Sequence, residues 1–377
     1  MGCCAKKKPE QLIEKNNSQE ENKESSELVT VKLSYQDFEP LKLIGTGSFG
    51  KVLLVKYNSN NNLYAMKVLN KSQIKLKKQE ENTKNERDLM VKLNNPFILS
   101  IKFAFQDESK LYIVSEFLQG GDLFYHLHHS TINLTEEVAK FYIIELILGL
   151  EFLHQNNVIF RDLKPENILL DSEGHIRISD FGLSKILENS RDKAYTLCGT
   201  LKYLAPEILK NKGYEKSVDW WSLGCIFYEM LMGHLPFKIN GNVIDPEVFE
   251  EKIKFNDNMN PLLIDLISQL LAVNPKKRIG YGDSDAKKIK EHQYFIDVDW
   301  NKYLNKEIEP PFVPKLDGDM DLRYFDKSFT DEPVNSDRAT IMSGSNRTSE
   351  YNGFTYMAQS IGKDIVEIAK NDEEQNL

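Results

Sequence analysis

Cysteine is scarce in this chain: four residues in 377, at positions 3, 4, 198 and 225. None stand at a metal-ligand spacing such as C-x-x-C, and so few thiols exclude a disulfide framework. The setting this predicts is a reducing, cytoplasmic one. Long apolar runs are missing too. A bilayer span needs about 18–20 consecutive apolar residues. The most apolar stretch, FYIIELILGLEFL at 141–153, is interrupted by Glu145 and Glu151 and reads as a core helix. No apolar segment follows the first residues, so no secretory leader is expected. Positive charge is in deficit: 48 Lys and Arg against 57 Asp and Glu give a net charge of −9. That balance argues against bulk binding to nucleic acid. No internal repeat is visible.

What is present falls into four stretches. Residues 1–37 are polar and rich in Glu, Lys, Asn and Ser. They cannot bury enough apolar surface to offset their ordering entropy, so a disordered tail is expected there. From Phe38 to Glu116 strands prevail. KVLLVKY (51–57) and LYAMKVL (63–69), split by the turn cluster NSNNN, predict a hairpin, and KLYIVSEF (110–117) predicts a further strand. One helix interrupts them, TKNERDLMVKL (83–93), with Leu89, Met90 and Leu93 at helical spacing. From Gly120 to Phe295 helices dominate: 136–155 behind Thr135 as N-cap, VDWWSLGCIFYEMLMG (218–233) and PLLIDLISQLL (261–271). After Ile296 the chain turns Pro-, Asp- and then Ser/Thr-rich, which predicts an extended tail anchored at aromatic clusters. The fold class is α+β: a small β-rich lobe, then a larger helical one.

The first chemical signal is LIGTGSFGKV, with Gly45, Gly47 and Gly50 in G-x-G-x-x-G spacing. The spacing alone leaves two readings open: a dinucleotide pyrophosphate at a helix start, or the phosphates of ATP under a glycine-rich hairpin. A dinucleotide fold needs a helix straight after the glycines, and here two strands follow, which speaks against it. Glycines let a backbone come close to anionic oxygens and aim N–H groups at them. In LYAMKVL, Ala65 and Lys67 share a face, because strand side chains alternate. A small Ala leaves room for a flat base, and Lys67 puts an ammonium near phosphates. Glu86, on the helix 83–93, would pair with Lys67.

VIFRDLKPENILLD (158–171) decides between the readings. It resembles the catalytic loop of eukaryotic protein kinases, with Phe160 where that loop has His. DFG follows at 180–182 and APE at 205–207. LCGTLKYLAPE (197–207), YFDKSFTDEP (324–333) and YNGFTY (351–356) further resemble the AGC group of Ser/Thr kinases, related to the cyclic-nucleotide-dependent, C and ribosomal-protein kinases. The resemblance runs from about residue 38 to 356. It implies a two-lobed kinase domain over 38–295, with a small lobe at about 38–116 and a large one at about 119–295. A regulatory C-terminal extension would fill 296–377.

Residue by residue, the resemblance implies ATP and Mg²⁺ as cofactors and the following roles. Lys67 contacts the α- and β-phosphates and pairs with Glu86; Asp180 and Asn167 bind Mg²⁺; Asp162 accepts the substrate proton and Lys164 steadies the γ-phosphate. Val52, Ala65, Ser115, the backbone of Glu116 and Leu118, and Phe325 would surround the adenine. Asp122, Glu166 and Glu229 would face basic residues upstream of the phosphoacceptor. Leu197, Leu201 and Leu204 would line the pocket for the residue after it. Leu201 and Lys202 depart from the usual Pro and Glu of this segment. A scaffold without activity would lack Lys67, Asp162 or Asp180, and all three are present.

Three switches are implied as well. Thr196 matches the activation-loop phosphosite, with Arg161 and Lys185 to receive its phosphate. Thr355 and Ser336 match two tail phosphosites. The partners this implies are protein substrates and an upstream activating kinase, with the chain itself a monomer. At the N-terminus, MGCCAKKK offers Gly2 for myristoylation, Cys3 and Cys4 for palmitoylation, and three lysines for an anionic surface. Membrane association through this segment is expected.

Overall fold

Five strands form early in the chain: β1 (Phe38–Gly47), β2 (Gly50–Tyr57), β3 (Leu63–Asn70), β4 (Ile101–Gln106) and β5 (Lys110–Glu116). The computed structural model describes residues 33–47, 50–129, 131–189, 192–210, 212–238, 246–334, 351–359 and 361. Gly2, Cys3, Cys4 and Ser336 lie outside these residues. The elements treated below belong to one compact unit beginning at Ser34.

The NSNNN cluster makes the β2–β3 turn as expected. Asn61 takes the left-handed backbone (φ 58°) that Asn tolerates, and Tyr57 N–H closes the turn on Asn62 O at 3.0 Å. From Leu63 to Val68 β3 alternates: Tyr64, Met66 and Val68 are buried on one face, and Ala65 and Lys67 stand on the other. Two helices follow, α1 (Lys71–Leu76) and α2 (Glu80–Lys92). The second starts three residues before the predicted 83–93, with Glu80 and Glu81 in its first turn. A single 3₁₀ turn at Tyr35–Asp37, closed by Ser34 and Asp37, leads into β1, so ordered structure begins before the expected Phe38 boundary.

The large lobe contains α3 (Leu123–His129), α4 (Glu136–Gln155), β6 (Val158–Ile159), β7 (Ile168–Leu170), β8 (Ile176–Ile178) and β9 (Lys185–Ile186). Beyond them come α5 (Pro206–Leu209), α6 (Ser217–Met232), α7 (Pro261–Leu270) and α8 (Asp285–Lys290). Thr135 caps α4, its hydroxyl accepting from Val138 N–H at 3.4 Å. Gly233 ends α6 with φ 71°. α4 and α6 carry the fully buried Tyr142, Trp220, Trp221, Phe227 and Tyr228. No helix among the described residues is long and apolar enough to cross a membrane.

The C-terminal extension is less extended than its composition suggests. It forms α9 (Trp300–Leu304), α10 (Lys327–Thr330) and β10 (Tyr356–Met357). β10 pairs antiparallel with β4, Tyr356 opposite Ala104, and completes a six-stranded sheet in the order β1-β2-β3-β5-β4-β10.

Candidate active site

Lys67, Glu86 and Asp180 meet. The Lys67 ammonium lies 2.6 Å from Glu86 Oε1 and 3.1 Å from Asp180 Oδ1. The Glu86 side chain is 5% exposed, whereas Lys67 and Asp180 open to the cleft at 29% and 48%. Burial alone would lower the Lys67 pKa, but the carboxylates of Asp180 and Glu86 overcome it and raise it. Burial pushes the Glu86 carboxyl up against the pull of Lys67, while Lys67 holds Asp180 below the usual carboxylate range. Asp180 reaches this position through a left-handed backbone (φ 63°).

A second cluster forms around Asp162. Its Oδ1 accepts from Thr200 N–H at 2.9 Å and from the Thr200 hydroxyl at 2.8 Å. Since that hydroxyl donates to Asp162, it accepts from Lys164 Nζ, at 3.1 Å. Lys164 also lies 3.2 Å from Asp162 Oδ2. Asn167 Nδ2 donates to the Asp162 carbonyl at 2.9 Å and to its Oδ2 at 3.2 Å. Both amide hydrogens are thus spent on Asp162, and the carbonyl oxygen Oδ1 remains as a hard ligand. The clusters are joined, because Ser179 N–H donates to Asn167 O at 2.9 Å and the Lys164 charge acts on Asp180.

The loop bearing Asp162 is pinned from below by Asp219 of α6. Phe160 N–H donates to Asp219 Oδ2 at 2.9 Å and Arg161 N–H to Oδ1 at 2.8 Å. His154 bridges Asp219 and Asp285, 2.9 Å from each. Burial would discharge it, but the Asp285 charge and the Asp219 hydrogen bond raise its pKa to about 9. Phe160, in the position where the resembled loop has His, packs edge-on against Phe181 at 5.3 Å.

The remaining expectations divide. In the sheet register Ala65 lies opposite Ser115 and Leu54, and Val52 opposite Lys67. Phe325 stacks on Phe117, between Glu116 and Leu118, at 5.7 Å. A Cβ on Gly50 would strike Val68 O at 1.8 Å, whereas one on Gly47 would meet nothing within 4 Å. Gly50 is therefore required by the hairpin itself, and Gly47 leaves open space above it. Asp122, Glu166 and Glu229 share one electrostatic neighbourhood. Burial and the Glu166 charge push Asp122 up to about 6, against the Tyr125 N–H it accepts at 2.7 Å. Burial also raises Glu229, which accepts from the Tyr203 hydroxyl at 2.7 Å.

Of the leucines, Leu204 is buried and Leu201 partly so, but Leu197 is 63% exposed. Thr196 is exposed, and Tyr214 links it to Arg161: its hydroxyl donates to Thr196 O at 2.7 Å and accepts from Arg161 at 3.2 Å. Lys185 is exposed on β9. Thr355 is exposed beside the buried Phe354.

A protein kinase domain family matches residues 38–295, and a protein kinase C terminal domain family matches 316–356. The chain belongs to the protein kinase family. Serine/threonine-protein kinase gad8 of Schizosaccharomyces pombe is 45% identical over 306 residues, 81% of this chain and 53% of that one. Human ribosomal protein S6 kinase alpha-3 is 44% identical over 325 residues, 85% of this chain and 44% of its own. The RAC family serine/threonine-protein kinase homolog of Dictyostelium discoideum is 42% identical over 333 residues, covering 87% and 74%. Within the protein kinases this chain falls in the AGC Ser/Thr group. It spans about half the length of the first two relatives.

Residue-level reading of this kinase missed Asp219, His154, Asp285 and Thr200. A signal existed for Asp219, an acid set among the apolar residues of VDWWSLG. Asp219→Ala leaves two buried amides without acceptors. The Phe160 and Arg161 amide hydrogens are expected to exchange at least about tenfold faster. Hydrogen exchange read by NMR checks this, and unchanged rates at both amides would refute the pinning.

Proposed function

We propose that the chain is a Ser/Thr protein kinase that moves the γ-phosphate of ATP to hydroxyls of protein substrates, with 38–295 as its catalytic domain and 296–377 as a regulatory extension. The single observation carrying this is the joined pair of clusters, Lys67–Glu86–Asp180 and Asp162–Asn167–Lys164–Thr200, in a member of the protein kinase family. Mg²⁺ commonly takes one or two protein oxygens and completes its shell from phosphates and water. The Asp180 carboxylate and the Asn167 carbonyl offer that donor set. When bound, the ion neutralises charge on the transferring group.

The chain's own residues then divide the work. The backbone of Gly45, Gly47 and Gly50 lies over the phosphates, and Lys67, held by Glu86, contacts two of them. Val52, Ala65, Ser115, Phe325 and the backbone of Glu116 and Leu118 enclose the base. Asp162 orients the substrate hydroxyl and takes its proton as that oxygen bonds to the γ-phosphorus and the bond to ADP breaks. Lys164 steadies the γ-phosphate. Mixing full chain with ATP, Mg²⁺ and a positional peptide library should give phosphoserine or phosphothreonine, with Arg or Lys favoured upstream. Asp180→Asn should reduce the rate by at least about a hundredfold. Nucleotide binding without transfer, with Thr196 phosphorylated or not, would replace this reading by that of a scaffold.

Specificity rests on Asp122, Glu166 and Glu229, which attract an upstream Arg, and on Leu197, Leu201 and Leu204 for an apolar following residue. Asp122, with its pKa pushed up to about 6, is ionised only above that pH. The KM for an Arg-containing peptide should therefore rise as pH falls through about 6, and Asp122→Asn should flatten the profile. A profile unchanged by that substitution would remove Asp122 from the site.

Phosphate on Thr196 would add about −2 charge within reach of Arg161 and Lys185 and order the segment. Thr355 and Ser336 would act likewise in the extension. Myristoyl on Gly2, palmitoyl on Cys3 and Cys4, and the following lysines would give stable membrane anchoring, which one acyl chain does not. A Gly2→Ala, Cys3→Ser, Cys4→Ser chain should leave the membrane fraction on centrifugation; retention there would refute the anchor.

A further inference from the structure

Where the small lobe joins the larger one, at residues 116–118 (the hinge), a chain of alternating charges crosses to the extension. Glu116 ends β5, and its Oε1 lies 3.5 Å from Arg177 Nε. The same oxygen accepts from Ser100 N–H at 3.4 Å and from the Ser100 hydroxyl at 3.3 Å. Arg177 also donates through NH1 to Pro96 O, and NH1 stands 3.5 Å from Asp171 Oδ2. Asp171 Oδ2 receives Lys306 Nζ at 3.0 Å. Its Oδ1 is fixed by the N–H groups of Glu173 and His175, at 3.1 and 2.9 Å. The Arg177, Asp171 and Lys306 side chains are 15%, 10% and 18% exposed, so solvent screens them little.

We infer that Arg177 is a positioning residue for the nucleotide: it fixes the hinge at Glu116 against the larger lobe and ties it, through Asp171, to Lys306 of the C-terminal extension. The inference rests on the kinase reading, in which the Glu116 backbone meets the base.

Three features support it. Arg177 lies on β8, three residues before Asp180, which is at most about 10 Å of chain. One short segment thus bears the residue that locates the base end of the nucleotide and the residue that meets its phosphate end. β8 is itself tied to the segment before β4, with Ile178 N–H donating to Phe97 O at 2.8 Å and Leu99 N–H to Ile178 O at 3.0 Å. The guanidinium adds Pro96 O and Glu116 to that attachment, so hinge and β8 move together. Finally, Glu116 and Asp171 face Arg177 and Lys306, two negative against two positive charges. Removing Arg177 leaves Glu116 without its cation and Asp171 with Lys306 alone.

The test uses full chain and titrates a non-hydrolysable ATP analogue with Mg²⁺ by calorimetry. Arg177→Met and Glu116→Gln should each weaken binding by at least about fivefold. The double variant should be no weaker than the worse single one, because both break the same link. Arg177→Lys should recover part of the loss, and Lys306→Met should show a smaller one. In steady state the KM for ATP should rise in the Arg177 variants while the KM for peptide stays within about twofold. Unchanged analogue affinity in Arg177→Met would overturn the inference, as would additive losses in the double variant, or a peptide KM that rises in step. Should Arg177→Met not fold, Arg177→Lys and Lys306→Met decide: full wild-type affinity in both overturns it. Failure of the unaltered chain to bind the analogue would instead overturn the kinase reading, and this inference with it.

Discussion

The Lys67 ammonium is the constraint on which the cleft depends. It balances one carboxylate buried in the small lobe, Glu86, and one exposed to the cleft, Asp180. Each comes from a different element: β3, α2 and the segment after β8. Loss of Lys67 leaves two carboxylates without their cation, one of them the buried Glu86, and breaking a buried pair costs about 3–5 kcal/mol. The triad therefore reports the relative placement of three elements at once. It also carries net charge −1, so it is poised for a cation, and the ammonium keeps a face open for an anion. The alternation of β3 supplies the geometry: Met66 and Val68 bury on one side so that Ala65 and Lys67 face the other.

The larger lobe works by a different rule. Its catalytic-loop backbone is not part of a helix or broad sheet, and its amides need acceptors from elsewhere. Asp219 provides them, and His154 and Asp285 hold Asp219 in turn. A buried carboxylate is tolerable because three donors meet it, two amides and an imidazole, and the Asp285 carboxylate on the far side of the ring favours the charged imidazolium. The same logic applies to Glu207, whose buried fork with Arg278 has bonds of 2.6 and 2.9 Å and anchors the start of α5. These ionic centres lie inside or beneath the apolar core and fix loops that hydrophobic packing alone would leave with several arrangements.

Much of this was legible in the sequence where periodicity and spacing speak directly. The period-two pattern of LYAMKVL gave the face of Lys67, the NSNNN cluster gave the hairpin, and Thr135 gave the start of α4. The order of the glycine loop, RDLKPEN, DFG and APE named the fold and most of the candidate site. What stayed hidden involves partners far apart in the chain. Asp219 reaches Phe160 and Arg161 across 59 and 58 positions, and Lys306 reaches Asp171 across 135. No local pattern encodes such a pairing; only an acid in an apolar run hints that a partner exists. The start of α2 at Glu80 was missed for a related reason, since the charged first turn buries little and leaves no apolar period to read. The resemblance groups Leu197 with Leu201 and Leu204, and what no local pattern encodes is their unequal packing, with Leu197 63% exposed and Leu204 buried.

The C-terminal extension shows how far the triad's geometry reaches beyond the two lobes. Phe354 is 1% exposed and sits under the Arg87 guanidinium at 5.5 Å, next in sequence to Glu86. Gln106 Nε2 donates to Tyr351 O at 2.9 Å, and Lys71, itself bound to Gln106 at 2.8 Å, lies over the Tyr351 ring. Further back, Lys42 of β1 and Lys51 of β2 donate to the carbonyls of Thr330 and Val334, at 3.3 and 2.7 Å. Phe325 stacks at the hinge, and Lys306 ends the ion chain from Glu116. The extension thus touches the strands bordering the glycine turn, the hinge, and the helix that carries Glu86. Lifting the extension off the small lobe would expose Phe354, and exposing a buried Phe costs about 1.5–3 kcal/mol; the same step would strip the Arg87 guanidinium of its ring contact beside Glu86.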